Sequence, residues 1–527
     1  MPRILLLVVV LAACASPKPR PPEAPPRGPV TVAIVVDQFA AWVAEERLPL
    51  LPETGGFARL RREGTWMQRV RYAHALTDTA TGHAALYTGA PPRESGIWTN
   101  ERIADDGKHV SLFLDPDIST IAPDGPRGPG SSPRPLKRPT LADRLVAARP
   151  EAMVISVSLK DRAAIIGAGR RPTAALWFDR GLDTFVTSSA YAPRFPGWAV
   201  PIAGHDALVA RRARAWQPLD PAWIEAHAGR PDDAPGEGDL GGYGTTFPHD
   251  TRNSKDPAKA FRSSPFADEV VLDLALAAVE ELHDQPVPLF LAVSLSANDY
   301  VGHLFGPESR EAWDELYRLD AALGRFFAAL DKRYGERGWS VVLTADHGVS
   351  RSAKVRIIQG ELGERLDRVA VAEFGEGPWV AGVVDPYVEL TRKARELPRE
   401  KLDALMELLR RALEAEPGVL GARDTRFPPA SCPPLEDESV DALICRSQPP
   451  FAVAAIYVVL GNDGFWDPDL VVGTGGNHGS VRDEDRTVPL FVRAPGRVAG
   501  GRVVTEPQSY LEFGEWVSRL LGLPDAR

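Results

Sequence analysis

The stretch VTVAIVVD, residues 30–37, sets the fold class. Its first seven residues are apolar or β-branched, which is typical of a strand buried on both faces, and Asp37 adds a carboxylate directly after it. Three later segments have the same character, at Met153–Val157, Leu289–Leu295 and Ser340–Thr344. Strands of this kind are characteristic of parallel sheets that are covered by helices.

Helical patterns separate these strand segments. The clearest begins at Ser309, a suitable N-terminal cap, and ends before Gly335, with leucines and phenylalanines at helical spacing between them. Glu269–Leu282 and Arg399–Leu413 show the same periodicity. This alternation predicts an α/β protein with a mainly parallel sheet flanked by helices.

Reactive side chains follow each strand segment closely. In chain order they are Asp37, then Lys160 and Arg162, then Asp299 and His303, then Asp346 and His347. Because ligands bind outside the carboxyl ends of the strands in open α/β sheets, we expect these side chains to converge on one rim. Residues 30–527 are predicted to form one catalytic domain, with insertions at about 103–138 and 165–255 that cap this rim.

Composition excludes several classes of protein. With 44% hydrophobic and 25% charged residues, the chain of 527 residues is neither disordered nor collagenous. Its formal charge of −10 provides no basic excess for a polyanion, so we expect no nucleic-acid partner.

The first 29 residues indicate export. Residues 1–13 combine Arg3 with an apolar run too short to span a membrane, which is typical of a signal peptide. The following LAAC sequence resembles a bacterial lipobox, so Cys14 is the predicted lipidation site and Ala15 favours the outer membrane. An ordinary cleaved signal with a chance cysteine is the alternative. Residues 14–29, rich in proline, are predicted to form an extended tether.

The other two cysteines are Cys432 and Cys445. In an oxidising periplasm a disulfide between them is the default expectation, and neither belongs to a CxxC pair that would bind a metal.

Carboxylates and histidines at the predicted rim point to metal ions. Asp299 and His303 lie one helical turn apart, and Asp346-His347 directly follows a strand. With Asp37 and His478, from the glycine-rich GGNHGS, they supply enough ligands for two ions of zinc or a similar metal. Thr79 precedes a predicted helix, where backbone N–H groups face an anion, and a divalent cation would lower the pKa of its hydroxyl. A simple capping role is the alternative for Thr79.

Seven strings in order resemble one known superfamily. They are VVDQF, TATGHAALYTGAPPRESGIWTN, SLKDRAAI, FPHD, NDYVGHLFGP, TADHG and GNHGS. The chain is similar in these strings to the alkaline phosphatase superfamily, specifically the phosphate-irrepressible (PafA-like) phosphatases and the related nucleotide pyrophosphatase/phosphodiesterases. Thr81 departs from the pattern, because relatives usually carry proline there.

The resemblance implies specific roles. Thr79 corresponds to the nucleophile, which also contacts the metals, and Asn100 to a phosphate-binding residue. One metal set corresponds to Asp299, His303 and His478, and the other to Asp37, Asp346 and His347. Two zinc ions per chain and a covalent phosphothreonine intermediate are implied.

The pair Lys160 and Arg162 bears on the type of ester. Residues two apart in an extended segment point to the same side, so both cations are able to reach one phosphate dianion. This favours monoesters, and the resemblance to the Lys/Arg pair of PafA-like enzymes does the same. The expected enzyme is an alkaline phosphatase that scavenges phosphate in the cell envelope, facing the periplasm or the surface.

Two alternatives remain open at this point. One is a phosphodiesterase or nucleotide pyrophosphatase with the same metals and threonine, and the other is a non-catalytic envelope lipoprotein. The expected partners are small phosphate monoesters, with membrane attachment through the N-terminal lipid only, and a monomer is the favoured oligomeric state.

Overall fold

A twelve-stranded sheet forms the centre of the protein. The structure, a computed structural model, describes residues 28–104, 108–351, 355–451, 455–461, 463–467 and 476–524. The predicted signal, Cys14 and nearly all of the predicted tether lie outside the described residues.

The strands within the described ranges are the following. They are β1 Val30–Val36, β2 Thr65–Arg71, β3 Glu101–Ile103, β4 His109–Ser111, β5 Leu114–Ala122, β6 Gly125–Ser131, β7 Met153–Ser158, β8 Ala174–Asp179, β9 Thr184–Ser188, β10 Leu289–Leu295, β11 Trp339–Thr344, β12 Val355–Ile358, β13 Val380–Val384, β14 Tyr387–Leu390, β15 Val419–Asp424, β16 Ile456–Leu460, β17 Gly464–Asp467, β18 Thr487–Arg493, β19 Arg502–Val504 and β20 Gln508–Ser509.

The α-helices in the same part of the chain are these. They are α1 Ala41–Arg47, α2 Gly56–Glu63, α3 Thr79–Thr88, α4 Pro92–Ser95, α5 Leu141–Ala148, α6 Asp161–Ala168, α7 Val200–Ala203, α8 His205–Arg212, α9 Pro221–His227, α10 Pro257–Arg262, α11 Pro265–Leu282, α12 Ala297–Phe305, α13 Arg310–Tyr334, α14 Gln359–Phe374, α15 Arg392–Arg395, α16 Arg399–Glu414, α17 Val440–Ser447, α18 Asp483–Arg486 and α19 Leu511–Leu521.

Five parallel strands occupy the middle of the sheet, in the order β11-β1-β10-β7-β8. Their residues are almost all buried, as expected for strands with helices on both faces. Helices α3, α5, α6 and α19 form one layer, and α2, α11, α12 and α13 form the other. Antiparallel strands continue the sheet, with β18 and β2 beyond β11 and with β9, β5 and β6 beyond β8.

The elements predicted from hydrophobic patterning are confirmed. Strands β1 and β10 have the predicted bounds, and β7 and β11 differ by one residue. Helix α13 begins after Ser309, whose hydroxyl accepts a hydrogen bond from the Ala312 amide, and it ends before Gly335. The α/β class with a large sheet flanked by helices is therefore confirmed.

Parts of the two stretches predicted to cap the rim belong to the central sheet instead. Strands β5 and β6, from residues 103–138, and β8 and β9, from residues 165–255, extend one side of this sheet. Strands β8 and β9 are almost fully buried, whereas β5 and β6, towards the edge, contain the prolines and glycines that suit edge strands.

A second, smaller unit supplies part of the wall above the rim. Strands β13, β14, β16 and β15 form a four-stranded antiparallel sheet that packs with α14 and α16 around its own apolar core. Helix α16 agrees with the predicted Arg399–Leu413 to within one residue, but sequence patterning did not assign this region to a separate sheet.

No helix in the described ranges has the length and apolar character needed to cross a membrane.

Cys432 and Cys445 are joined by a disulfide, with their Cα atoms 5.6 Å apart. The bond ties the loop before α17 to that helix, in which Cys445 is buried. The loop is otherwise rich in proline and acidic residues, so few apolar contacts hold it.

We predict that reduction of this disulfide lowers the free energy of unfolding by about 3 kcal/mol, because the closed loop restricts the unfolded chain. Urea unfolding with and without reductant measures the change. The double variant Cys432→Ser/Cys445→Ser is the control and is expected to be insensitive to reductant. Equal midpoints for the oxidised and reduced protein would contradict the prediction.

Candidate active site

The carboxyl ends of the central strands bring the predicted side chains together. Asp37 follows β1, Lys160 follows β7, Asp299 lies in the first turn of α12 after β10, and Asp346 follows β11. All four are at least 96% buried. The convergence expected from strand order is therefore present in the structure.

Asp299, His303 and His478 form the first group of potential metal ligands. Their contacts centre on Asp299 Oδ1, which lies 3.0 Å from His303 Nε2 and 3.5 Å from His478 Nε2. Each histidine uses Nδ1 on a backbone carbonyl, His303 on Gly476 at 2.8 Å and His478 on Thr77 at 2.7 Å. Because a carbonyl only accepts, Nδ1 carries the proton and Nε2 is the free ligand atom.

The second group contains Asp37, His347 and, again, Asp299. His347 Nε2 lies 3.3 Å from Asp37 Oδ1 and 3.7 Å from Asp346 Oδ2. The predicted second set is Asp37, Asp346 and His347, and Asp346 Oδ2 is buried and lies beside the same His347 Nε2, so Asp346 stays a predicted ligand while Asp299 adds a further oxygen to this group. The other oxygen of Asp346, Oδ1, accepts hydrogen bonds from the backbone amides of Gln38 and His347, at 3.3 and 3.0 Å.

These residues fit a pair of divalent cations. His347 Nε2 is buried and has no hydrogen-bond partner among the described residues, which suits a ligand atom. Burial and the nearby His347 lower the pKa of His478 to about 3, so His478 is neutral at pH 7, as a ligand must be. Mixed carboxylate and imidazole donors are the ligands that zinc and similar ions prefer.

Lys160 balances part of the negative charge. Its Nζ lies 2.7 Å from Asp37 Oδ2 and 2.6 Å from Asp299 Oδ2. Burial disfavours the ammonium, but the two carboxylates outweigh it and raise the pKa of Lys160 above its usual value. Lys160 is therefore charged in the site.

Thr79 is the first residue of α3 and is 1% exposed. Its Oγ1 accepts hydrogen bonds from Lys160 Nζ at 3.0 Å and Arg162 Nη2 at 3.5 Å. Two cationic side chains thus meet at the hydroxyl that the sequence singled out, beside the positive end of a helix.

The turn that carries Thr79 is fixed by hydrogen bonds. Asp78 caps α3 by accepting from the Thr81 amide at 2.9 Å, and the Thr81 hydroxyl interacts with Asp78 in return. Thr81, noted as a departure from the family pattern, thus completes a capping box. Asn100 contacts the same turn twice. Its side-chain Oδ1 accepts a hydrogen bond from the Ala80 backbone amide at 2.9 Å, and its backbone N–H donates to Asp78 Oδ2.

Three residues that support the site escaped sequence analysis. Gln38, with φ of 63°, donates from Nε2 to Asp299 Oδ1 at 3.0 Å. Gly82 leaves no room for a side chain, since a Cβ there would lie 2.0 Å from the Asp346 carbonyl. Ser447, at the end of α17, accepts hydrogen bonds from the amides of Ala75 and Leu76, at 2.7 and 3.1 Å.

A cavity of about 560 Å³ opens onto these residues. Asn100, Arg162, His303 and His478 line it. Its lining also includes residues of α10 and Tyr300, together with Gln359, Val384, Asp385 and other residues of the smaller unit. The smaller unit therefore contributes to the shape of the site, which was not predicted from the sequence.

Ser447 yields a testable consequence for the turn before Thr79. In Ser447→Ala the Leu76 amide loses its acceptor, so we expect its hydrogen exchange to rise at least about tenfold, in line with about 1–3 kcal/mol for an unsatisfied buried amide. Exchange mass spectrometry of the peptide that spans 73–80 measures it. Ser439→Ala removes the cap at the other end of α17 and is the matched control. Unchanged exchange in Ser447→Ala would refute this role.

Comparisons with known proteins agree with this site and fold. Residues 31–425 match the family model "Type I phosphodiesterase / nucleotide pyrophosphatase". The chain is 32% identical to alkaline phosphatase PafA of Elizabethkingia meningoseptica, over 76% of this chain and 75% of that protein. It is 31% identical to alkaline phosphatase PhoK of Sphingomonas sp., over 89% and 83% of the two chains.

A solved structure extends the likeness to the fold. The crystal structure of wild-type alkaline phosphatase PafA superposes with a TM-score of 0.82 at 27% identity, covering 95% of this chain and 97% of that one. The resemblance drawn from the seven sequence strings is thereby confirmed. The chain belongs to the type I phosphodiesterase / nucleotide pyrophosphatase family, within which it is PafA-like.

Proposed function

We propose that this PafA-like hydrolase of phosphate esters is a zinc-dependent phosphomonoesterase that acts through a covalent intermediate on Thr79. One observation carries the proposal. The Thr79 hydroxyl lies at a helix N-terminus, within hydrogen-bond reach of Lys160 and Arg162 and beside two groups of carboxylate and histidine ligands.

Substrate binding follows from the charges around Thr79. A monoester phosphate is a dianion with three free oxygens, and Lys160 and Arg162 supply two cations for it. Asn100 contributes as well, because its Oδ1 is held by the Ala80 amide and its Nδ2 hydrogens are left as donors to an anion.

The chemical step is a double displacement. Thr79 Oγ loses its proton to solvent water and forms a bond to phosphorus as the bond from phosphorus to the ester oxygen breaks, and the alcohol leaves with a proton returned by water. Water then attacks the phosphothreonine, which releases inorganic phosphate and restores the hydroxyl. Zinc ions held by Asp37, Asp299, His303, Asp346, His347 and His478 would supply Lewis-acid stabilisation of the oxygens on either side of phosphorus.

Lys160 has two contributions in this proposal. Besides binding the phosphate, its ammonium donates a hydrogen bond to Thr79 Oγ1 and forms ion pairs with Asp37 and Asp299. Asp346 has two contributions as well, because its Oδ1 fixes the backbone amides of Gln38 and His347 while its Oδ2 lies beside His347 Nε2 as a potential ligand atom.

A phosphodiesterase is the second candidate, and the description of the matching family favours it. A diester has less charge, and one of its oxygens bears a second substituent. Two cations at the nucleophile favour the monoester, because its dianion makes stronger charge-assisted contacts with them than the single charge of a diester. A non-catalytic role would not require buried ligand atoms around an oriented hydroxyl.

We further propose that the enzyme works in the cell envelope as an outer-membrane lipoprotein anchored through Cys14, with a tether over 14–29. The signal-like segment at 1–13 and the disulfide, which suits an oxidising compartment, support this. Phosphate scavenging from small monoesters, by a monomer without nucleic-acid partners, is the matching role.

We expect Thr79→Ala to lower the turnover of phenyl phosphate at least about a thousandfold. The reason is that no other described hydroxyl accepts hydrogen bonds from both Lys160 and Arg162. Zinc content near two per chain should persist, as measured by elemental analysis of the same sample. Thr88→Ala, in the last turn of the same helix, is the matched control. Full activity of Thr79→Ala would contradict the mechanism.

The choice between the two esters is tested by initial rates on p-nitrophenyl phosphate and bis-p-nitrophenyl phosphate. We expect the wild type to hydrolyse the monoester much faster than the diester. In Lys160→Ala/Arg162→Ala the ratio of the two rates should fall at least about a hundredfold, because two charge-assisted contacts to the phosphate are lost. The exposed Arg171→Ala is the control, and zinc content of each variant is measured in parallel. A diester preference that these substitutions leave unchanged would move the protein to the phosphodiesterases.

A further inference from the structure

Arg262 borders the active-site cavity without a counter-ion among the described residues. It is the last residue of α10, and it lines the same cavity as Asn100 and Arg162. No carboxylate in the described ranges pairs with its guanidinium, and its Nε is buried without a hydrogen-bond partner there. Its one hydrogen bond to a described residue runs from Nη1 to the Tyr300 hydroxyl, at 2.9 Å.

The acidic residues that line the cavity already contact other side chains. Asp385 accepts from Gln359, Asp467 pairs with Arg356, and Glu101 lies 3.6 Å from His109. All three line the cavity, yet none of them neutralises Arg262. The side of the cavity formed by α10 thus presents a positive charge toward the space above Thr79.

Tyr300 fixes the position of this charge relative to the phosphate site. The Arg262 Cζ stacks 4.3 Å from the centroid of the Tyr300 ring, and Lys160 Nζ lies 5.0 Å from the same centroid. Both distances are measured to the centroid of the Tyr300 ring. The Arg262 and Lys160 cations are therefore no farther apart than the sum of these two distances. Arg162, which contacts the Thr79 hydroxyl, and Arg262 line the same cavity, so a leaving group that extends into this cavity from a phosphate at Thr79 approaches the Arg262 side.

From this geometry we infer that Arg262 forms a second anion subsite, which selects phosphate monoesters whose leaving group itself carries a carboxylate or a phosphate. A guanidinium binds such groups with paired, charge-assisted hydrogen bonds, and partial burial strengthens them. This inference rests on the proposed monoesterase function and names the substrates that the function prefers.

The test compares phenyl phosphate with its 3- and 4-carboxyphenyl analogues, using the zinc-loaded full-length protein. The neutral 4-carbamoylphenyl phosphate controls for the size of the substituent. The quantity measured is the kcat/KM of each carboxylate substrate divided by that of phenyl phosphate. Comparing this ratio between wild type and variant cancels the intrinsic reactivity of the leaving groups.

We expect the ratio for the better carboxylate isomer to fall about tenfold in Arg262→Gln, the size of one charge-assisted contact. Arg262→Lys should retain part of the preference, high salt should weaken it, and the ratio for the carbamoyl substrate should not change. Arg252→Gln, an exposed arginine of the same segment paired with Asp250, is the matched control.

The possible failures are distinguishable. If Arg262 only supports the Tyr300 ring, Arg262→Gln lowers the kcat/KM of all substrates by the same factor. The ratio then stays constant, and the proposed subsite is overturned. The same conclusion follows if wild type shows no preference for either carboxylate isomer over the carbamoyl substrate. Absence of zinc-dependent turnover of every aryl phosphate would instead overturn the proposed function, and the subsite with it.

Discussion

Three carboxylates buried at the carboxyl ends of the central strands impose the main constraint on this protein. Asp37, Asp299 and Asp346 are each at most 1% exposed, and an unpaired ion in such a setting costs several kcal/mol. Positive charge must therefore be concentrated beside them. Lys160 bridges two of the three, and His303 and Lys160 hold the pKa of Asp299 well below its usual range despite burial.

Asp299 is the centre of this arrangement. Its two oxygens meet Gln38, Lys160 and two histidines, and it belongs to both groups of potential metal ligands. The residues around this carboxylate come from several elements of the fold. The parallel strands deliver the acids and Lys160, α12 adds His303 one turn later, and the last glycine-rich turn returns His478 from a distant part of the chain. The same ammonium then reaches Thr79, so the nucleophile and the ligands share one network of charges.

Much of this arrangement could be predicted from the sequence, since strands with continuous apolar runs and a capped amphipathic helix have strong local signals. Asp37, Asp299 and Asp346 follow such strands, and the order of a parallel sheet brings them together. Contacts between remote segments have no such signal. The position of Asp299 close to both groups of potential ligands depends on distances between strands, and Ser447 supports Ala75 from more than 370 positions away. The apolar run that includes β16 indicates a buried strand, but its pairing with β14 and β15 joins remote segments, so the smaller unit was missed. For the same reason β5, β6, β8 and β9 were placed in cap insertions and not in the central sheet.

The stereochemical course of phosphoryl transfer tests the central claim, that reaction passes through a covalent bond to Thr79, most directly. A phenyl phosphate made chiral with three oxygen isotopes is turned over in the presence of an acceptor alcohol, and the configuration of the new ester is determined. Two successive displacements each invert the phosphorus, so this account predicts net retention. Net inversion would show a single direct displacement and would contradict the role given to Thr79.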